Sequence, residues 1–247
     1  MDAPTAWDLT EQNNDEYLST GCNAVDELLR GGFPIGMVSE VCGAAGSGKT
    51  QMCLQLLLRA QLDIQESGLN ASSCYMYSDG LSPLKRLGEL ASHSQTPVSL
   101  NRIFLEAATD PDQFVHALKS RLPSLMQLHG VRLVVIDSIA AIFRGQSVEK
   151  ASEAGDRTRV MFDVVNCMRI LANQYRAVFI VVNQMSANLQ NDNVPALGLA
   201  WSSCINQRFL IRKTPRSPSQ RTFHVVFSPY LPSNSPAIFE ITSTRLE

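Results

Sequence analysis

The sequence has few aromatic residues, few histidines and no regular cysteine spacing, and its hydrophobic runs are short. Aromatic residues make up 7% of the 247 residues, and the 4 histidines are isolated, so no spacing typical of a zinc site occurs. No apolar run approaches the roughly 18 residues that a membrane-spanning helix needs. The 6 cysteines form no C-x-x-C pair. Several lie in apolar runs, which favours reduced, buried thiols over a disulfide framework.

The chain also lacks a strong net charge, because 21 Lys and Arg face 23 Asp and Glu. The acids are concentrated at the start: residues 1–20 hold five of them and no Lys or Arg, which leaves a charge of +3 for the rest of the chain. Such a start is not a signal or transit peptide. We interpret residues 1–18 as an acidic flexible segment and residues 19–247 as one domain. The near-neutral total therefore does not exclude a nucleic-acid partner.

Short apolar runs alternate with amphipathic segments along most of the chain. Strands are predicted at 37–42, 73–78, 102–107, 131–137 and 177–182, and helices at 51–64, 84–91, 111–127 and 156–175. Residues 131–137 are almost wholly apolar, as in a strand buried on both faces of a parallel sheet. Further strands at 206–213, 221–227 and 237–242 are separated by Pro/Ser turns. We expect an α/β fold with a mostly parallel twisted sheet flanked by helices and with antiparallel C-terminal strands.

A phosphate-binding motif lies between the first strand and the first long helix. Residues 43–50 (GAAGSGKT) fit G-x-x-x-x-G-K-[ST]. In this motif backbone N–H groups surround the phosphates, Lys49 reaches the β- and γ-phosphates, and the Thr50 hydroxyl binds Mg²⁺. Asp137, at the end of an apolar strand, is the candidate second magnesium residue. The alternatives are a chance glycine-rich turn and an ordinary Asp at a strand end. The predicted nucleotide-binding residues are Gly43, Ala44, Ala45, Gly46, Ser47, Gly48, Lys49, Thr50 and Gln51.

Several segments together resemble RecA-family ATPases, in particular the eukaryotic strand-exchange recombinases. They are the lead-in at 19–43, the phosphate motif, and segments 133–138, 182–184, 212–213 and 228–232, so the resemblance covers residues 19 to about 242. The stretch PALGLAW at 195–201, with Cys204, Asn206 and Arg208, is similar to recombinase paralogues of the X-ray repair cross-complementing branch.

The resemblance implies a RecA-like P-loop ATPase core that uses ATP and Mg²⁺ in homologous-recombination DNA repair. It implies binding to single-stranded DNA and support of recombinase filaments. It also implies a heterodimer with another recombinase paralogue, of the C type, and no membrane partner. The expected location is the nucleus, with the cytoplasm as a second compartment.

The resemblance also assigns roles to single residues. Asp79 stands where the family has a water-orienting Glu, and its shorter side chain should weaken hydrolysis. Gln184 matches the glutamine that senses the γ-phosphate, and Arg86 matches the guanidinium that lies on adenine. Pro229 matches a residue that covers the nucleotide of a neighbouring subunit. Alternatives remain: Asp79 caps a helix, Arg86 is a solvated helix residue, and Gln184 is an amide at a strand end.

Two loops line DNA in this family, and here they correspond to about 143–158 and 186–197. The first is neutral overall, and the second holds no cation. Residues 186–239 contain five cations and one acid. We expect modest, salt-sensitive single-strand binding. The candidate contacts are Arg144, Arg157, Arg212 and Lys213. The alternative is that residues 208–221 form a solvated hairpin.

Two functions of different classes remain open. The first is a weakly hydrolysing, DNA-dependent ATPase subunit of a paralogue complex. The second is a non-catalytic scaffold in which ATP stabilises the interface between subunits. A small P-loop kinase is disfavoured by the lead-in and by the lack of an Arg-rich lid. The one Phe-x-x-Ala sequence, Phe114 to Ala117, falls in a predicted amphipathic helix, which favours core packing over a docking motif.

Overall fold

The computed structural model describes residues 16–78, 83–144, 151–187, 193–233 and 235–247. Strands and helices alternate through most of this range, as the sequence predicts. The strands are β1 (Tyr17–Leu18), β2 (Phe33–Pro34), β3 (Val38–Gly43), β4 (Ser72–Tyr77), β5 (Ile103–Ala107), β6 (Val131–Asp137), β7 (Val178–Ala187), β8 (Asn193–Pro195), β9 (Gln207–Lys213), β10 (Gln220–Phe227) and β11 (Ala237–Glu240). The α-helices are α1 (Asn23–Leu29), α2 (Lys49–Arg59), α3 (Leu84–Ser92), α4 (Pro111–His116), α5 (Leu122–His129), α6 (Ile139–Arg144), α7 (Ala151–Gln174) and α8 (Gly198–Ser202).

One large sheet organises the described residues, with strands in the order β11-β10-β9-β3-β7-β6-β4-β5. The six strands from β9 to β5 pair in parallel, whereas β10 and β11 pair antiparallel at one side and β8 pairs antiparallel with β7. This arrangement confirms the predicted fold. Because β3, β4, β6 and β7 run in the same direction, their carboxyl ends meet at one edge of the sheet.

Both faces of the sheet are covered, which explains the apolar strands. Along β7, Val178, Ile180 and Val182 pack in a core cluster with α1 and α2, and all three are buried. The alternate residues Phe179 and Val181 pack on the other face with α4, α5 and α7. Successive side chains of the strand therefore point alternately into the two cores, so each position of the strand must be apolar.

Several predicted boundaries shift. The helix predicted at 111–127 extends to His129 and contains a π-helical turn at Ala117–Arg121. Phe114 and Ala117 are buried, which confirms that this Phe-x-x-Ala sequence packs in the core. The helix predicted at 51–64 ends at Arg59, and part of the predicted loop at 186–197 forms β8.

The folded domain begins before residue 19. Strand β1 pairs with β2, and Leu18 is buried. Glu16 forms ion pairs with Arg132 (2.8 Å) and Arg176 (3.2 Å), and the bond to Arg132 lowers the pKa of its carboxyl group. Residues 16–18 therefore belong to the domain and not to the acidic segment.

All six cysteines are free, and five of them are buried. Burial raises the pKa of the Cys42 and Cys74 thiols to about 12. Five of the six thiols are therefore buried, as expected. No helix in the described ranges is long and apolar enough to span a membrane. The same ranges contain no cluster of three or more His, Cys, Asp and Glu side chains that could hold a metal ion.

A side-chain amide of α2 links the beginning and the end of the domain. Gln55 Nε2 donates to the carbonyl oxygen of Thr20 at 2.6 Å, and Gln55 Oε1 accepts from the Leu246 N–H at 2.8 Å. Leu246 is itself buried in the core cluster around α2. The helix that follows the phosphate motif is thus held by two distant parts of the chain.

A buried carboxylate connects the elements around the sheet edge. Glu40 on β3 is 0% exposed. Its Oε1 accepts from Asn183 Nδ2 at 2.6 Å and from Trp201 Nε1 at 2.8 Å, and its Oε2 is paired with Arg208 Nε. Asn183 also donates to the carbonyl oxygen of Ala196 at 2.9 Å. The charge of Glu40 is therefore compensated by β7, α8 and β9 together.

Removing one partner of this buried pair should destabilise the fold strongly. We expect Arg208→Met to lower the free energy of unfolding by about 3–5 kcal/mol, because it leaves the Glu40 charge buried and uncompensated. Urea unfolding followed by circular dichroism measures this loss. The matched control is Arg245→Met, whose pair with Glu247 is about half exposed. That variant should lose less than about 1 kcal/mol. Equal losses in the two variants would contradict the anchoring role of Glu40.

Candidate functional site

The phosphate motif forms a compact turn between β3 and α2. Lys49 is 8% exposed, and its Nζ donates to the carbonyl oxygens of Gly43 (2.8 Å) and Ala44 (2.9 Å). Burial lowers the pKa of its ammonium group, and the charge of Asp137 opposes this effect. Gly48 has φ of 107°, and a Cβ there would approach Ile241 Cδ1 to 2.2 Å. The turn therefore requires glycine at this position.

Two hydroxyl groups hold the carboxylate of Asp137 at the end of β6. Thr50 Oγ1 donates to Asp137 Oδ2 at 2.7 Å, and the Tyr75 hydroxyl donates to the same oxygen at 2.8 Å. Burial and the Asp137 charge raise the pKa of Tyr75, so this phenol remains a donor at neutral pH. Thr50 and Asp137 are thus brought together as the sequence predicted. Tyr75 was not predicted, because nothing in an apolar strand marks which alternate residue faces the site.

The ends of β4, β6 and β7 are joined by serine and glutamine side chains. Gln184 Nε2 donates to Ser138 Oγ at 3.2 Å. Ser78 Oγ donates to the Ser138 carbonyl oxygen and accepts from the Ser138 N–H, both at 2.9 Å. Gln184 lies opposite Gly43 in the β3–β7 ladder. The glutamine is therefore next to the phosphate motif and also at the start of the segment that leads to residues 188–192.

Arg86, on α3, contacts the residue that directly follows the phosphate motif. Its Nε donates to Gln51 Oε1 at 2.9 Å, and its Nη1 forms an ion pair with Glu89 at 3.0 Å. Gln51 Nε2 is buried and has no hydrogen-bond partner among the described residues. The guanidinium plane is thus fixed at the wall of the site by α2 and α3.

These groups surround one cavity of about 700 Å³. This volume is within the range of pockets that hold a cofactor-sized ligand. Part of its wall comes from residues that the sequence did not predict, namely Tyr77, Ile241 and Arg221. Arg221 Nε donates to the carbonyl oxygen of Ser47 at 3.1 Å, so the C-terminal strands support the phosphate motif. The described lining residues are Gly46, Gly48, Lys49, Thr50, Gln51, Leu54, Tyr75, Tyr77, Pro83, Arg86, Asp137, Ser138, Gln184, Arg221 and Ile241.

Pro229 is not near this cavity. Phe227, at the end of β10, pairs with Arg208 near the start of β9, and Ser228 Oγ donates to Gln207 Oε1 at 3.1 Å. Since β9 is parallel to β3, Pro229 lies at the opposite edge of the sheet from the phosphate motif. It cannot cover the nucleotide site of its own chain. Asp79 lies outside the described residues.

The predicted DNA contacts whose side chains are described do not all lie on one face of the sheet. Arg212 and Lys213 are consecutive on β9, so their side chains point to opposite faces. Arg212 is near His224, whose pKa is lowered by burial and by this guanidinium. Arg157 lies on α7, and its Nε is buried without a hydrogen-bond partner among the described residues. Arg144 is the last residue of α6, and its side chain is outside the described structure.

The comparisons with known proteins agree with this geometry. The Rad51 family model matches residues 13–247. The chain belongs to the Rad51 family. It is 29% identical to the DNA repair protein XRCC3 homolog of Arabidopsis thaliana, with 92% of this chain and 91% of that protein covered.

Two further relatives support the same assignment. The chain is 32% identical to the DNA repair protein XRCC3 of Bos taurus, with 89% and 71% covered. It is 28% identical to the DNA repair protein RAD51 homolog 3 of Cricetulus griseus, with 90% and 69% covered. The chain is therefore an XRCC3-like paralogue of the RecA family, which confirms the resemblance found in the sequence.

The residues present fit ATP with Mg²⁺, which RecA-family ATPases use in general. The turn at 43–50 is preorganised by Gly48, a lysine lies inside it, and a Thr–Asp pair lies at its end. In such a site Lys49 and the backbone of the turn would hold the phosphates, and Thr50 and Asp137 would hold the metal ion. The unpartnered Nε2 of Gln51 is a further donor at the wall.

The Tyr75 hydroxyl should tune the magnesium affinity of the site. We expect Tyr75→Phe to raise the Mg²⁺ concentration needed for half-maximal ATP binding by about 10-fold or more, because a group that orients a metal ligand typically contributes this much. Titration of MgCl₂ at fixed fluorescent ATP measures the effect. Tyr175→Phe, directly after the end of α7, is the control and should match the wild type. An unchanged magnesium dependence in Tyr75→Phe would show that its hydrogen bond to Asp137 is not needed.

Proposed function

We propose that this chain is an ATP-binding subunit of a recombinase-paralogue complex in homologous-recombination DNA repair. The observation that carries the proposal is the arrangement of Lys49, Thr50 and Asp137 at the wall of one cavity of about 700 Å³. The names of the relatives, which are DNA repair proteins, support the pathway. A nuclear location follows from that pathway.

The chain's own residues would carry out three tasks. Lys49 and the turn at 43–50 bind the phosphates, and the Thr50 hydroxyl and the Asp137 carboxylate orient Mg²⁺. Bound ATP supplies the phosphoanhydride bond that is hydrolysed. Asp79, by its sequence position, orients the attacking water, and its carboxylate is one methylene shorter than that of Glu. Because a general base must lie within hydrogen-bond reach of its proton, we propose that hydrolysis is weak.

Gln184 provides a route from the nucleotide to DNA. Its amide contacts Ser138 in the site, and the preceding Asn183 contacts the Glu40 carboxylate. Asn183 also donates to the Ala196 carbonyl oxygen, and Glu40 accepts from Trp201. These hydrogen bonds connect the site to the segment that follows residues 188–192. A change at the γ-phosphate can therefore bias this segment, which corresponds to the second DNA loop of the family. We propose modest single-strand binding that is stimulated by nucleotide and that supports a recombinase filament.

A second subunit is part of the proposal. Pro229 lies at the sheet edge opposite the phosphate motif, which supports the proposal that it contacts a neighbouring molecule and not its own cavity. One relative is named RAD51 homolog 3, and we propose a paralogue of this C type as the partner in a heterodimer. The position of Pro229 also favours a second candidate function, a non-catalytic scaffold in which ATP stabilises the interface between the two subunits.

Turnover by the heterodimer with single-stranded DNA separates the two functions. We expect Lys49→Ala to lower DNA-stimulated ATP turnover by about 100-fold or more, as loss of a charged transition-state contact does. Asp79→Glu should raise turnover by up to about 100-fold, which is the lower end of what a positioned base contributes.

Pairing of the subunits is the control in this experiment, and size-exclusion chromatography measures it with and without ATP. Equal turnover of the wild type and Lys49→Ala would exclude hydrolysis at this site. If ATP then still strengthened pairing of the wild type and not of Lys49→Ala, the scaffold function would be the correct one.

A further inference from the structure

Two cations of the C-terminal strands lie against the phosphate motif. Lys213 at the end of β9 is directly opposite Arg221 of β10 in the antiparallel ladder. Arg221 is buried, and its Nε donates to the Ser47 carbonyl oxygen at 3.1 Å. Lys213 Nζ lies 3.1 Å from the point that a Cβ on Gly46 would occupy. The two side chains thus reach neighbouring residues of the same turn from the same side.

Gly46 makes the approach of Lys213 possible. Its φ of 68° is a conformation that favours glycine, and its missing side chain leaves room for the ammonium group. In a P-loop the backbone N–H groups of this part of the turn face the phosphates. The Lys213 ammonium therefore lies beside a residue of the turn whose backbone would face the phosphates. Arg212 points to the other face of β9.

The charges at the motif are unbalanced among the described residues. Lys49, Arg86 and Arg221 line the cavity and Lys213 lies beside Gly46, outside the lining, while Asp137 is the acid among the described lining residues. The positive charge of Lys213 reaches Lys49, since it contributes to the lowered pKa of that ammonium group. Cations that repel one another are stabilised by a ligand with several negative charges. A nucleoside triphosphate is such a ligand.

We propose that Lys213 is a second phosphate-binding lysine of the nucleotide site and not a DNA contact. Its ammonium group contacts the terminal phosphates from the side of Gly46, while Arg221 holds the turn through Ser47. This proposal rests on the proposed binding of ATP. Because the charge of a nucleotide grows with each phosphate, loss of Lys213 weakens ATP binding more than ADP binding.

The test compares single-lysine variants of the full chain in complex with its partner. Fluorescent ATP and ADP are titrated with Mg²⁺ into the wild type, Lys213→Gln, Lys213→Arg and the control Lys119→Gln, which removes an exposed lysine of the π-helical turn at Ala117–Arg121. We expect about 10-fold weaker ATP binding by Lys213→Gln, the effect of one charge-assisted hydrogen bond at an exposed site. ADP binding should weaken less, Lys213→Arg should retain most of the affinity, and the control should match the wild type.

Single-strand binding of the same variants, measured without nucleotide, is the second readout. Lys213→Gln should bind DNA as the Lys119→Gln control does. If Lys213→Gln keeps wild-type ATP affinity, or loses only DNA affinity, Lys213 is not a phosphate-binding residue. If the wild type binds neither nucleotide, the proposed function itself fails, and this inference fails with it. A matching thermal midpoint for Lys213→Gln and the wild type confirms that the variant is folded.

Discussion

The buried carboxylate of Glu40 is the constraint on which the site depends. An isolated charge in a protein interior is unfavourable, so β3 can be placed in the middle of the sheet only if its neighbours supply donors. Asn183, Trp201 and Arg208 supply them, and each comes from a different element. Glu40 is three residues before Gly43, and Asn183 is adjacent to Gln184. The compensation of one charge thus aligns the phosphate motif, Gln184 and the segment that follows it.

The parts of the site that depend on local sequence could be predicted. The motif at 43–50 fixes its own turn, and an apolar strand that ends in a carboxylate placed Asp137 at the correct edge, where Thr50 contacts it. The mostly parallel pairing of the strands, although not their order, followed from the alternation of strands and helices. These features depend on the spacing of residues along the chain and on burial, both of which are visible in a sequence.

Other parts depend on the register between distant strands, which a sequence does not reveal. Arg212 and Lys213 look like one basic patch in the sequence, but the pleat of β9 separates them, and only the pairing with β10 brings Lys213 and Arg221 together. Tyr75 and Ile241 contribute to the site because of how β4 and the residues after β11 pack on α2. Pro229 lies at the sheet edge opposite the phosphate motif because of the direction in which β10 runs, and its neighbours in sequence do not reveal this direction.

The hydrogen bonds of Gln55 have a consequence for how the domain is made. This one side chain joins Thr20, 35 residues away, and Leu246, 191 residues away. Contacts between residues so distant in sequence form late, because the entropy of closing a long loop must be overcome first. During synthesis, α2 can emerge and form its helix early, yet it cannot acquire both partners until residue 246 has left the ribosome. The candidate nucleotide site, whose wall includes Arg221 and Ile241, is likewise completed only when almost the entire domain has been translated.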